Sequence, residues 1–188
     1  MSCVRETHIE IIGTEYSYSG SIGWFIDQLI DKHRTEVIDI GGDAKGAAKA
    51  DSVVLDLKDT YKIVGVSNDE KTSWMRISQV SRHPANGGLV KITTMSGKTT
   101  TATLSHSFLK RTENGIEPIR GSDLVIGMKV PIAQGLPAPT RSGTITWEEI
   151  IEIEYLDDPR DYVYDFTVPG NDSFMVDEGI LVHNTLNT

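Results

Sequence analysis

Gly179-Ile180-Leu181-Val182-His183-Asn184-Thr185, followed by Leu186-Asn187-Thr188, closes a chain of 188 residues. A short apolar run ends in His-Asn, and a hydroxyl residue comes next. That order carries chemistry. The side-chain amide of an asparagine can attack its own backbone carbonyl, close a succinimide ring and cut the chain after itself. A neighbouring histidine can polarise that carbonyl or protonate the departing amine. The threonine released by the cut carries a nucleophilic oxygen. Taken alone, the segment reads first as a strand that happens to end in Val-His-Asn-Thr.

Three further segments give it a context. Ser2-Cys3-Val4-Arg5-Glu6-Thr7-His8-Ile9 places a nucleophile ahead of an acidic residue, a threonine and an aliphatic residue. Gly97 to His106 ends in Thr103-Leu104-Ser105-His106, a Thr-x-x-His pattern. Tyr162-Val163-Tyr164-Asp165-Phe166-Thr167-Val168 sets an aspartate after an aromatic. In this order, and with two of them at the ends, the four segments resemble the blocks of an intein, a protein-splicing element that excises itself and ligates its flanks. The resemblance spans nearly the whole chain. It implies the all-β, horseshoe-shaped Hint fold, with halves related by a pseudo-twofold axis, one or two short helices, and both termini at the centre.

The resemblance also implies roles. Residue 1 is then the remnant of the upstream flank, residues 2–184 the splicing domain and residues 185–188 the downstream flank. Ser2 is the first nucleophile, because counting from it puts Glu6, Thr7 and Ile9 on the family's acidic, threonine and aliphatic positions. Cys3 is the alternative nucleophile, or a small buried hydrophobe. Thr103 and His106 act on the bond before Ser2, or are an ordinary sheet threonine and a structural histidine. Asp165 assists attack by Thr185 on the ester at Ser2, or lies on a solvated strand face. His183 and Asn184 carry the cyclisation that releases the downstream flank. An acyl shift then leaves a peptide bond between Met1 and Thr185. One departure stands out: where the family usually has a histidine before Phe174, this chain has Asp172-Ser173. Asp172 either assists in that histidine's place or belongs only to the Pro169-Gly170-Asn171-Asp172 turn.

Composition narrows the alternatives. Hydrophobic residues make up 38% and charged residues 24%, an ordinary globular balance for one domain with a core. A net charge of −9 argues against a nucleic-acid surface and against a DNA-binding endonuclease insertion, so the expectation is a mini-intein, a monomer without nucleic-acid or membrane partners. The one cysteine rules out an intrachain disulfide. No apolar run approaches the ~18 residues of a membrane span, and the first residues lack the pattern of a signal peptide. His8, His33 and His83 have no ligand spacing, so neither a metal nor a cofactor is expected. The implied activity is single-turnover self-catalysis rather than that of a turnover enzyme.

Strand-like runs cover His8–Ile12, Val53–Leu57, Thr60–Val66, Trp74–Val80, Leu89–Thr94, Thr99–Thr103, Ile145–Ile151, Tyr162–Val168, Ser173–Val176 and Gly179–Val182. Ser19-Gly20, Asn68-Asp69 and Asn114-Gly115 read as turns, and Asn86-Gly87-Gly88 and Ser96-Gly97 as tight hairpin ends. Ile22, Phe25, Ile26, Leu29 and Ile30 make one helical stripe over Ile22–His33, with Ser21 as N-cap. A second short helix is expected near Arg120–Leu124. Gly41–Ala50 and Gly135–Gly143 read as loops, the latter a candidate scar of a lost insertion.

The residues that splicing would join, Met1 with Thr185-Leu186-Asn187-Thr188, resemble the trigger-loop segment of the largest subunit of archaeal and eukaryotic-type RNA polymerases. That implies an intracellular element, in cytoplasm or nucleus with its host. Two other readings compete. A Hedgehog-like Hint domain would cleave without ligating. A β-rich binding module with a fortuitous terminal motif would do neither.

Overall fold

A computed structural model describes residues 2–39, 52–85, 87–105, 107–157 and 160–184. The expected Gly41–Ala50 loop, Asn86, His106 and Thr185 to Thr188 lie outside the described residues. In chain order the elements are β1 (His8–Gly13), β2 (Ser17–Ser21), α1 (Ile22–Lys32), β3 (Ile38–Asp39), β4 (Val53–Asp56), β5 (Tyr61–Val66), β6 (Lys71–Arg76), β7 (Gln79–Pro84) and β8 (Leu89–Thr94). There follow β9 (Thr99–Thr103), β10 (Phe108–Thr112), β11 (Gly115–Ile119), β12 (Lys129–Ala133), β13 (Gly143–Leu156), β14 (Tyr162–Thr167), β15 (Ser173–Val176) and β16 (Ile180–His183). The fold is all-β with one α-helix among the described residues, as the alternating runs predict.

The larger sheet runs β11-β10-β16-β12-β13-β6-β5-β1-β2, with β15 added on β16 and the β8–β9 hairpin on β13. The smaller sheet runs β14-β7-β4-β3. The spine is β13. It pairs with β6 at Gly143 and Thr144, with β12 over Ile145–Glu149, and with β8 from Ile150 to Leu156. A register shift between Ile150 and Glu152 leaves Ile151 unpaired, and such a bulge bends the strand as it changes partners.

Four local expectations are corrected. Ser19 and Gly20 are not a turn: they pair with Glu10 and Ile9 inside β2, because the backbone N–H and C=O groups along β1 need hydrogen-bond partners. The run Trp74–Val80 is not one strand. It breaks at Ile77-Ser78, where the Ile77 N–H goes back to Tyr61 O (2.8 Å) and the Ser78 N–H to Thr167 O (2.9 Å), so the chain passes from one sheet to the other. Gly87-Gly88 does not close a hairpin, since β7 pairs with β4 and β14 whereas β8 pairs with β9 and β13. Ser96-Gly97 does close one, with Gly97 at φ +90°. Near Arg120–Leu124 the chain makes only a single 3-10 turn at Gly121–Asp123.

The helix forms where the stripe predicts. The Ser21 side chain accepts from the Trp24 N–H at 3.3 Å, and Ile22, Phe25, Ile26, Leu29 and Ile30 are buried. Phe25 meets Phe166 of β14 edge to face at 6.1 Å and Tyr61 of β5 at 5.5 Å, and Phe166 meets Phe174 of β15 at 5.4 Å. These aromatic contacts fasten the helix to both sheets. At its first turn α1 rests on the N-terminal arm. The Gly23 N–H donates to Arg5 O (3.0 Å), and a Cβ on Gly23 would come within 2.3 Å of Arg5 Cγ, so no larger residue fits there.

Candidate active site

The N-terminal arm threads between two strands. The Cys3 N–H donates to Tyr164 O (2.7 Å) and the Tyr164 N–H returns a bond to Cys3 O (2.9 Å), while Cys3 also bridges Ala102 of β9. This antiparallel pairing fixes Ser2. The Thr103 N–H donates to Ser2 O at 3.1 Å, and the Ser2 N–H points to Thr103 Oγ1 at 3.4 Å. Thr103 is thus bonded to the nitrogen that a cut before Ser2 would release. The serine is only 3% exposed. Its hydroxyl lies 2.9 Å from His83 Nε2. Burial holds the His83 imidazolium below its ordinary pKa, so the ring favours its neutral form.

The C-terminal strand reaches the same turn from the other side. Thr103 Oγ1 lies 3.2 Å from Ser105 Oγ, and Ser107 Oγ donates to Ser105 O at 2.6 Å. The His183 N–H donates to Ser107 O at 2.9 Å. A continuous run of hydrogen bonds therefore links Ser2 to His183 through Thr103–Ser107. His106 itself lies outside the described residues, but both of its chain neighbours belong to this link.

His183 and Asn184 are buried at the end of β16. Ser173 of β15 pairs with His183, and the Asn184 N–H donates to Asp172 O at 2.7 Å. Asp172 sits at φ 51° in the turn after β14, where its own N–H caps Val168 O (3.1 Å). It therefore meets Asn184 through its backbone. The Asn184 Oδ1 is buried and has no hydrogen-bond partner among the described residues.

Asp165 is buried rather than on a solvated face; its Oδ1 accepts the Phe166 N–H at 2.9 Å. In the β14–β7 ladder Asp165 stands opposite Ser81 and Val163 opposite His83. Strand alternation puts Asp165, Ser81, Val163 and His83 on one face. The other face carries Tyr164, whose hydroxyl donates to Asp27 of α1 (3.1 Å) and accepts from Arg5 (2.8 Å). Asp27 also takes Arg82 Nη1 at 3.0 Å and an ion pair from Arg5. Burial, and then Asp27, pushes the Tyr164 phenol up to about 12. The Cys3 thiol is fully buried, and its pKa stands well above the ordinary value through burial and then the charges of Asp165 and Asp177.

The structure thus gathers Ser2, Cys3, Thr103, Asp165, His183 and Asn184 around the meeting of the two ends, and Thr185 lies outside the described residues. Sequence reasoning missed His83, which it set aside as a scattered histidine. No local pattern marks it, because its contact with Ser2 spans 81 positions of chain. Among the described residues no cluster of His, Cys, Asp or Glu is placed to hold a metal. Among them, too, no helix is long and apolar enough to cross a membrane.

Comparison with known proteins places this arrangement. The family model for the intein splicing domain matches residues 25–184. The chain is similar to the crystal structure of the transcription factor IIB Mvu mini-intein, with a TM-score of 0.81 and 26% identity over 97% of this chain and 99% of that one. It is similar in fold to the KlbA intein precursor from Methanococcus jannaschii, with a TM-score of 0.74 and 21% identity over 100% and 92% of the two chains. Among curated proteins, DNA-directed RNA polymerase subunit Rpo1C of Methanocaldococcus jannaschii is 36% identical over 138 residues. Those residues are 73% of this chain and 15% of that relative, so the match falls on a small part of the longer protein. The near end-to-end match with a mini-intein accounts for the Hint architecture in which the two termini converge. The chain belongs to the intein splicing domain family, and its function is protein splicing.

Proposed function

We propose that splicing proceeds through three positioned steps in this chain. The Ser2 hydroxyl attacks the carbonyl of residue 1, with Thr103 holding the scissile nitrogen and His106 protonating it as it leaves. Thr185 then attacks the ester at Ser2, assisted by the Asp165 carboxylate. Asn184 cyclises with help from His183 and frees the ligated flanks. The observation that carries this reading is the run of hydrogen bonds from Ser2 through Thr103, Ser105 and Ser107 to His183. It supports the cutting of two bonds, 183 positions apart in sequence, at one locus.

Ser2 is favoured over Cys3 as the first nucleophile. A buried thiol with a raised pKa holds little thiolate, and the thiolate is the reactive form. Asp172 contributes through its backbone oxygen, which orients Asn184. For the host, the likeness to Rpo1C and the Met1/Thr185–Thr188 junction support an RNA polymerase largest subunit, hence an intracellular, monomeric element that acts on its own flanks. No cofactor enters the chemistry.

The test is intact-mass spectrometry of the chain with lengthened, distinguishable flanks, beside an Asn184→Ala control. Splicing as proposed yields ligated flanks and an excised fragment of residues 2–184 that ends in succinimide or Asn. Ligation that survives Asn184→Ala would remove Asn184 from its role. Ligation that survives Ser2→Ala would do the same for Ser2.

A further inference from the structure

We propose that His83 is a catalytic residue of the first two steps, the base that takes the proton from the Ser2 hydroxyl and the acid that later returns it. The proposal rests on Ser2 being the nucleophile. A serine hydroxyl is a weak nucleophile at neutral pH and needs an adjacent base. Everything else about Ser2 is already engaged: its carbonyl accepts from Thr103, its N–H points at the Thr103 hydroxyl, and only Oγ is left for chemistry. That atom lies 2.9 Å from His83 Nε2, within the reach that proton transfer requires.

The position of the histidine is set by the fold and not by chance rotation of a surface side chain. His83 is held in β7 by its ladder with Val163 on β14, the strand whose Tyr164 clamps Cys3. The backbone bonds that place the serine therefore also place the histidine. Burial keeps the imidazole neutral, the form that can accept a proton. Asp165 shares its face of the β7–β14 ladder, so the group proposed for the second step is a near neighbour.

The proton balance closes. In the acyl shift the Oγ proton passes to Nε2, the Oγ–C bond forms and the C–N bond before Ser2 breaks. The nitrogen takes its proton from His106. One proton has thus left Oγ and one has arrived on nitrogen. When Thr185 attacks the ester, the Oγ–C bond breaks and the leaving oxygen recovers its proton from the His83 imidazolium. Asp165 accepts the Thr185 proton.

The experiment uses the full chain with lengthened flanks in an Asn184→Ala, Thr185→Ala background, with hydroxylamine added to cut the ester at Ser2. The rate of N-terminal cleavage then reads the acyl shift alone. His83→Gln is expected to lower that rate by about 100-fold or more, within the range of general-base catalysis. Adding Ser2→Cys to His83→Gln is expected to bring the rate to within about tenfold of Ser2→Cys alone, because a thiol is far more acidic than a hydroxyl in the same place and leans less on a base. A His83→Gln rate within about threefold of the parent overturns the proposal, since that is too small for a lost base. So does a His83→Gln loss that Ser2→Cys leaves uncorrected, which would make His83 a structural support. Cleavage that persists in Ser2→Ala sinks the Ser2 reading instead, and the mass of the released flank tells where the chain was cut.

Discussion

At the scale of single residues, Asp177 shows how a buried charge works inside this fold. Its Oδ1 accepts the His8 N–H at 2.8 Å while its own N–H donates to His8 O at 2.9 Å, so it pins β1 to the turn between β15 and β16. Burial raises its pKa, and the nearby Thr100 side chain and the bond from the His8 N–H only partly oppose that. An acid whose folded pKa is raised costs stability when ionised, above the folded pKa. That cost is relieved as the pH falls through the folded value toward the unfolded one. Asp177→Asn keeps the acceptor oxygen and removes the charge. The variant should be more stable than the parent in urea unfolding at pH 7. Its advantage should shrink as the pH is lowered toward the ordinary aspartate range. An advantage that grows on acidification would mean that the carboxylate is stabilising.

At the scale of elements, the β15–β16 hairpin is closed by a turn that its residues do not favour. Asp177 and Glu178 stand at φ 45° and 67°, both in the left-handed region, as a type I′ turn requires, and Gly179 follows at φ 141°. Such turns prefer Asn-Gly, because a side chain in that region costs roughly 1–2 kcal/mol against ~0 for glycine. Asp177 is retained for its bonds to His8. Glu178 is exposed and makes no bond that needs its side chain among those described. Glu178→Gly should therefore raise unfolding free energy by about 0.5–1 kcal/mol after the entropic cost of glycine, measured by denaturant titration. A loss of stability would mean that Glu178 makes a contact worth more than its strain.

Across the whole molecule, the hydrogen-bonded link through Thr103, Ser105 and Ser107 connects the two ends. It is short, polar and supported on one side by β9 and on the other by β10, so disturbing it should be felt at both termini. Ser107→Ala removes the 2.6 Å bond to Ser105 O but leaves the backbone bond to His183 available. It should slow N-terminal and C-terminal cleavage together, each by roughly 10-fold, in line with the cost of one part-buried hydrogen bond, ~1 kcal/mol. Mass spectrometry of the two cleavage products over time gives both rates. Slowing at one end alone would show that the ends are held independently.

Several features were legible without coordinates. The stripe Ile22, Phe25, Ile26, Leu29, Ile30 specifies a helix because its spacing matches the helical repeat, and Ser21 starts it as an N-cap should. The β-branched run of Thr99–Thr103 and the alternating Leu89–Thr94 specify strands whose hairpin needs only Ser96-Gly97 between them. The terminal Val-His-Asn-Thr and the Thr-x-x-His pattern, in order with the two other segments, point to the intein splicing domain family, whose model matches residues 25–184. Other features depend on contacts between distant segments. Ser17–Ser21 has no apolar alternation and is a strand only because β1 offers it hydrogen bonds. Trp74–Val80 looks like one strand, and breaks because Ile77 and Ser78 find partners in different sheets. Asp165 is an aspartate like any other until the sheets bury it. His83 has no local mark at all. Local order is set by interactions a few residues apart, which one sequence displays. Ser2 and His83 meet only because the N-terminal arm pairs with β14, and β14 pairs with β7. That juxtaposition belongs to the tertiary structure, which alone decides which groups share an enclosed site.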